Sequence, residues 1–206
     1  MFESCAHQIA QTGRELGALG WMPATSGNFS MRLDAEHAAV TISGRDKTNL
    51  CIDDIMTVDL QGQPIDTNAS PSAETPLHVQ IYRRFPHAGA VLHTHSRNQT
   101  VAGRMFGARG TIRFTGWELL KAISGYTTHE STLDLPVFAN TQDMPALVRR
   151  IDAWLDAGKP LHGYLIKDHG IYTWGRDMRE ARRHLEAFDF LLGCELDLLH
   201  LMGAKT

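Results

Sequence analysis

The chain has 206 residues, 43% of them hydrophobic, enough for one domain with a full core and against an intrinsically disordered chain. Its 20 Lys and Arg against 23 Asp and Glu leave a formal charge of −3 without a basic stripe, which argues against a nucleic-acid partner. No apolar run approaches the ~20 residues that cross a bilayer, the acidic start from Met1 to Cys5 lacks the blocks of a signal peptide, and three scattered cysteines (Cys5, Cys51 and Cys194) form no disulfide framework, so a reducing cytoplasm is the expected compartment.

Phe2, Ala6, Ile9, Leu16 and Leu19 recur at helical spacing and predict a helix over 2–20. Phe29, Met31 and Leu33, then Val40 and Ile42, then Met56, Val58 and Leu60 alternate with polar neighbours, the pattern of an antiparallel meander. Pro76 suits the first turn of a helix over 75–84, whose buried stripe is Leu77, Ile81 and Phe85. The apolar run Gly89 to Leu92 predicts a strand that ends in His93-Thr94-His95-Ser96, with a helix over 97–106 behind it. Residues 117–123 read as helical, and Leu147, Val148, Ile151 and Leu155 mark a helix that stops at Gly158 and Pro160. Two strands, 164–166 and 171–174, flank a tight connection holding His169, and 178–202 forms one long packing helix. Nothing resembles a repeat or a linker, so one domain over 1–206 is expected, with helices on a mostly antiparallel sheet.

Side chains two apart on a strand share a face, so His93 and His95 can present both imidazoles to one point, as a metal chelate does. A catalytic zinc takes three protein ligands and keeps a position open, and His169 is the best third donor. Each segment alone also fits ordinary hydrogen-bonded histidines, and the combination is what points to a metal. Three imidazoles suit other divalent ions as well.

Two carboxylates stand near helix starts, Glu74 before 75–84 and Glu118 in 117–123, where an acid also simply favours the helix N-terminus. Thr25-Ser26-Gly27-Asn28 and Ser43-Gly44-Arg45-Asp46-Lys47 combine hydroxyls, flexible backbone and one cation. Together they suit a phosphate dianion; separately each also reads as a turn.

The order Ser26-Gly27-Asn28, Ser43-Gly44, Ser72-Ala73-Glu74, His93-Thr94-His95 and His169-Gly170 resembles the class II aldolase family over nearly the whole chain. Segments 43–47, 93–96, 137–141 and 169–175 further resemble its dehydratase branch, which acts on 5-methylthioribulose 1-phosphate in methionine salvage. The resemblance implies an α/β fold of three layers, α/β/α, around a mostly antiparallel sheet. It also implies one Zn2+ per subunit on His93, His95 and His169, a phosphate site around Asn28, Ser43, Gly44, Lys47 and Ser72, and Glu118 as acid/base. Glu74 stands where the aldolase branch keeps its catalytic carboxylate and some dehydratases carry cysteine, so base, extra ligand and structural roles stay open. Members are commonly symmetric tetramers with active sites near subunit contacts, which implies a homotetramer here.

In such a dehydratase, polarising the C2 carbonyl of the ketose phosphate acidifies the C3 proton, and the C4 hydroxyl then leaves with a proton assigned to Glu118. The expected product is 2,3-diketo-5-methylthiopentyl 1-phosphate. An aldolase or epimerase would use the same zinc-stabilised enediolate and is the alternative reading. A non-catalytic metal-binding protein is the reading of a different class, although no cysteine lies near either histidine segment to close a four-ligand site.

Overall fold

The computed structural model describes residues 1–158 and 161–203; Pro160, expected to help stop a helix, lies outside the described residues. Among them are five α-helices, α1 (Phe2–Ala18), α2 (Thr75–Arg84), α3 (Arg97–Phe106), α4 (Met144–Leu155) and α5 (Met178–Gly203). The eight strands are β1 (Asn28–Arg32), β2 (His37–Thr41), β3 (Ile55–Asp59), β4 (Ala90–Thr94), β5 (Thr111–Thr115), β6 (Thr132–Phe138), β7 (Gly163–Ile166) and β8 (Gly170–Gly175). They make one sheet in the order β3-β2-β1-β4-β8-β7-β6-β5. Every pairing is antiparallel except β6 with β7, as expected for a mostly antiparallel sheet.

Alternation along each strand divides the apolar residues between two cores. Ala90 and Leu92 of β4, Phe29 and Met31 of β1 and Ile171 of β8 pack with α1, α3 and α5. Val91 of β4 and Tyr172 and Trp174 of β8 face the other way, against α2 and α4. The result is the three-layer α/β/α sandwich. The central strands β4, β7 and β8 are buried along their whole length, as strands covered on both faces must be.

Helix boundaries follow local chemistry. Ser96 caps α3: its hydroxyl accepts the Gln99 N–H, and the Gln99 side-chain oxygen accepts the Ser96 N–H in return. Asp143 caps α4 by accepting the Ala146 N–H at 2.9 Å. The expected helix over 117–123 is a short 3₁₀ segment, Glu118–Ala122, pinned on α5 by buried Leu120 and Ile123 and by the Ser124 N–H, which reaches Nε2 of His184 at 3.1 Å. Strands β5 and β6 lie where no element was expected, and they form the sheet's far edge.

Candidate active site

β4 ends at Thr94, so His93 is the strand's penultimate residue and His95 stands one residue past its end. Cross-strand pairing sets His93 opposite Tyr172 of β8 and Asn28 of β1. The Tyr172 ring stacks on His93 with centroids 4.1 Å apart and planes 12° apart. Nδ1 of His93 donates to the Ile171 carbonyl at 2.9 Å, which fixes the tautomer and leaves the Nε2 lone pair exposed to the site. His95 Nε2 lies 2.8 Å from His93 Nε2.

His169 arrives from the β7–β8 connection, where Asp168 takes a positive φ of 57° and turns the chain back into β8. Gly170 permits the approach: a Cβ there would lie 2.1 Å from the Thr94 carbonyl oxygen. The ligand atoms of His93, His95 and His169 all fall within 4.8 Å of one another. Burial pulls the His93 imidazole down to about 4, against an opposing pull from Glu74; burial and the neighbouring imidazoles take His95 to about 3. Both rings are therefore neutral near neutral pH, with lone pairs available to a cation. A tight convergence of imidazole nitrogens, one oriented by a backbone carbonyl, fits zinc.

Glu74 joins this cluster from the N-cap position of α2. Its Oε1 lies 3.1 Å from His169 Nε2 and its Oε2 3.5 Å from His93 Nε2. Asn28 Nδ2 donates to Oε2 at 2.7 Å. Burial pushes this carboxyl up, but His93, His169 and the Asn28 hydrogen bond more than offset it, so it is held below the usual carboxylate range. The Glu74 carboxylate is therefore ionised and free to accept a proton beside the histidine cluster.

The segments expected to hold phosphate converge beside Glu74. Asn28 Nδ2 also lies 3.4 Å from Ser72 Oγ, and the Ser43 N–H donates to the Ser70 carbonyl at 3.0 Å, which brings the Ser43-Gly44 turn to the Ser72 loop. Lys47 is buried, its ammonium donating to the Thr25 carbonyl at 3.2 Å and the Arg45 carbonyl at 2.7 Å, so it ties the two polar loops together. Gly27, at φ 79°, lies so close to β4 that a Cβ would stand 2.7 Å from the His93 carbonyl oxygen. Loop and histidine cluster are thus one packed unit.

Glu118 stands apart from these contacts: its side chain is 71% exposed and pairs with Lys121, with His129 Nδ1 at 3.8 Å. Lys121 lowers its carboxyl from the usual value.

One supporting group escaped sequence reasoning. Asp189 of α5 is buried and accepts from the Ser96 hydroxyl, from Asn98 Nδ2 at 3.1 Å and from Gln99 Nε2 at 2.9 Å, while Gln99 Oε1 accepts the Thr94 hydroxyl at 2.9 Å. These bonds lock the backbone on both sides of His95. The sequence signal was a lone acid among apolar residues, between Phe188 and Leu191.

Residues 7–196 match the Class II Aldolase and Adducin N-terminal domain family. The chain is 59% identical over 203 residues to a methylthioribulose-1-phosphate dehydratase of Xanthomonas campestris pv. campestris, a match covering 97% of this chain and 93% of that protein. It is 60% identical over 198 residues to a protein of the same name from Stenotrophomonas maltophilia, covering 96% and 92%. Among solved structures, L-fuculose-1-phosphate aldolase from Thermus thermophilus superposes with a TM-score of 0.77 at 22% identity, covering 98% of this chain and 99% of that one, and bears on the fold alone.

Proposed function

Because this chain belongs to the class II aldolase and adducin N-terminal domain family, we propose that it is a zinc-dependent hydro-lyase that dehydrates 5-methylthioribulose 1-phosphate. The observation that carries this reading is the Glu74 carboxylate set against the convergent His93, His95 and His169, in a chain 59% identical to named dehydratases. The product is 2,3-diketo-5-methylthiopentyl 1-phosphate, which places the reaction in methionine salvage.

His93, His95 and His169 would hold one Zn2+ per subunit, which would supply Lewis-acid polarisation of the substrate's C2 carbonyl. Glu74, fixed by Asn28, takes the C3 proton. Glu118, ionised at rest beside Lys121, first takes up a proton and then gives it to the departing C4 hydroxyl, which leaves as water. The resulting C3–C4 enol then becomes the C3 ketone by taking a proton at C4 and releasing the proton of its C3 hydroxyl. Asn28, Ser43, Gly44, Lys47 and Ser72 surround the phosphate; two protons of the Lys47 ammonium bind loop carbonyls, and the third serves the anion.

The working assembly is a homotetramer. Exposed Leu198, Leu201 and Met202 at the end of α5, with Phe190 and with Met105 of α3, supply apolar surface for subunit contacts. Glu118's exposure on a single chain suits service to a neighbouring subunit's histidines. Free thiols at Cys5, Cys51 and Cys194 suit a cytoplasmic enzyme, and among the described residues no helix is long and apolar enough to cross a membrane.

The test is incubation of the zinc-loaded protein with 5-methylthioribulose 1-phosphate and mass analysis of the products. One product lighter by one water supports dehydration, whereas two carbon fragments would assign the chain to aldol cleavage.

A further inference from the structure

Asn28 and Ser30 lie two apart on one face of β1, while Glu74, His78 and Tyr82 lie four apart along α2 and its N-cap. Two strand residues advance ~6.6 Å and four helix residues ~6 Å, so the two rows keep step and interleave. The contacts alternate between helix and strand. Asn28 Nδ2 donates to Glu74 at 2.7 Å, and His78 Nε2 meets Asn28 Oδ1. His78 Nδ1 then lies 2.7 Å from Ser30 Oγ, which is 2.8 Å from the Tyr82 hydroxyl. Asn28, Ser30, His78 and Tyr82 are all buried, where a missing partner cannot be replaced by bulk water.

Only one direction of donation satisfies the row. A carboxylate accepts and cannot donate, so Asn28 turns its NH2 to Glu74 and its carbonyl to His78. His78 must then carry its proton on Nε2 and accept the Ser30 hydroxyl proton on Nδ1. The Tyr82 hydroxyl completes the row by donating to Ser30, whose own proton is already given to His78. Burial pulls the His78 imidazole down to about 4, opposed by Glu74, so the ring stays neutral with one donor and one acceptor. The ring edge also meets Tyr172, with centroids 5.6 Å apart, and Tyr172 stacks on His93.

We propose that His78 is a positioning residue of the active site: held as its Nε2–H tautomer by Ser30 and Tyr82, it fixes the Asn28 carboxamide so that Asn28 clamps Glu74 between His93 and His169. This rests on the reading of Glu74 as the catalytic base and not on the identity of the substrate. A base released from its clamp samples rotamers that miss the substrate proton, and the loss falls on turnover rather than on substrate binding.

The test uses the zinc-loaded protein with 15N-labelled histidine, in which couplings from the ring protons report which nitrogen of His78 carries hydrogen. The Nε2–H form is expected; the Nδ1–H form, or a rapid mixture of the two, overturns the proposal. In parallel, His78→Gln keeps a donor for Asn28 and an acceptor for Ser30, whereas His78→Leu keeps neither. We expect kcat to fall about 10- to 100-fold in His78→Leu, the usual effect of losing a residue that orients a site group, with KM and zinc content unchanged and kcat largely recovered in His78→Gln. Equal kcat in the two variants overturns the proposal at whatever level it falls. Should His78→Leu not fold, the wild-type tautomer decides. Wild-type protein that leaves 5-methylthioribulose 1-phosphate intact defeats the proposed function alone, because the tautomer measurement needs no substrate.

Discussion

Glu74 and His169 meet at 3.1 Å, Oε1 to Nε2, with the Glu74 side chain only 17% exposed. The carboxylate therefore sits within the histidine cluster. Glu118, at 71% exposure, occupies a different environment, which makes the two acids separable by substitution.

Glu74→Gln and Glu118→Gln each keep the shape of the side chain and remove its titrating proton. Turnover is expected to fall in both by roughly 10²- to 10⁴-fold, the range for general acid–base catalysis, with zinc content intact. Near-normal turnover in Glu118→Gln, beside an inactive and zinc-loaded Glu74→Gln, would transfer the whole proton traffic to Glu74.

Lys47→Ala removes the cation that joins the Thr25 and Arg45 carbonyls. We expect KM for the phosphorylated substrate to rise far more than kcat falls, while zinc content holds. Steady-state kinetics on the phosphorylated ketose and its unphosphorylated analogue check this, and equal handling of the two by the wild type would refute a phosphate role.

Asp189→Ala leaves the Ser96 hydroxyl and the Gln99 and Asn98 amides without their shared acceptor in a buried place. The cost should be about 1–3 kcal/mol of folding stability, read from denaturant midpoints. Zinc should also dissociate more readily, because the segment carrying His95 loses its anchor on α5. Unchanged zinc affinity at reduced stability would confine Asp189 to a structural role.

Acid should destabilise the metal-free protein before its carboxylates titrate. Burial pulls the His184 imidazole down to about 4 from an ordinary value of 6.5, against the Trp174 carbonyl that accepts from its ring. Between those values the unfolded chain binds a proton that the folded chain refuses, so stability falls as pH drops from about 6.5 towards about 4. His78, His93 and His95 act in the same sense. Denaturant midpoints should therefore decline from about pH 7 to about pH 5, and less steeply in His184→Gln; an identical slope in that variant would contradict the assignment.

Local signals made much of this legible. Pro76 and Pro86 bracket α2, Ser96 and Gln99 announce the start of α3, and period-two alternation marks β1 to β3. The two histidine segments were readable because a strand and a tight turn each impose a known direction on their side chains. Strands β5 and β6 were not readable: Pro136 argues against a strand, and their places depend on pairing with each other and on the short parallel contact of Val137 and Phe138 with β7. Glu74's place among the imidazoles depends on α2 meeting β1 and β4, which no spacing along the chain reports. The row Glu74, His78 and Tyr82 did carry a signal, polar residues four apart on a helix whose neighbours Leu77 and Ile81 are buried. Its meaning required the matching Asn28 and Ser30 of β1.

The most direct test of a zinc dehydratase built on His93, His95 and His169 is titration of the metal-free protein with zinc while dehydration of 5-methylthioribulose 1-phosphate is followed. Turnover should rise and break at one zinc per subunit in the wild type, and His169→Ala should neither retain the zinc nor turn over. Full turnover in metal-free protein, or a His169→Ala variant that keeps both zinc and activity, would contradict it.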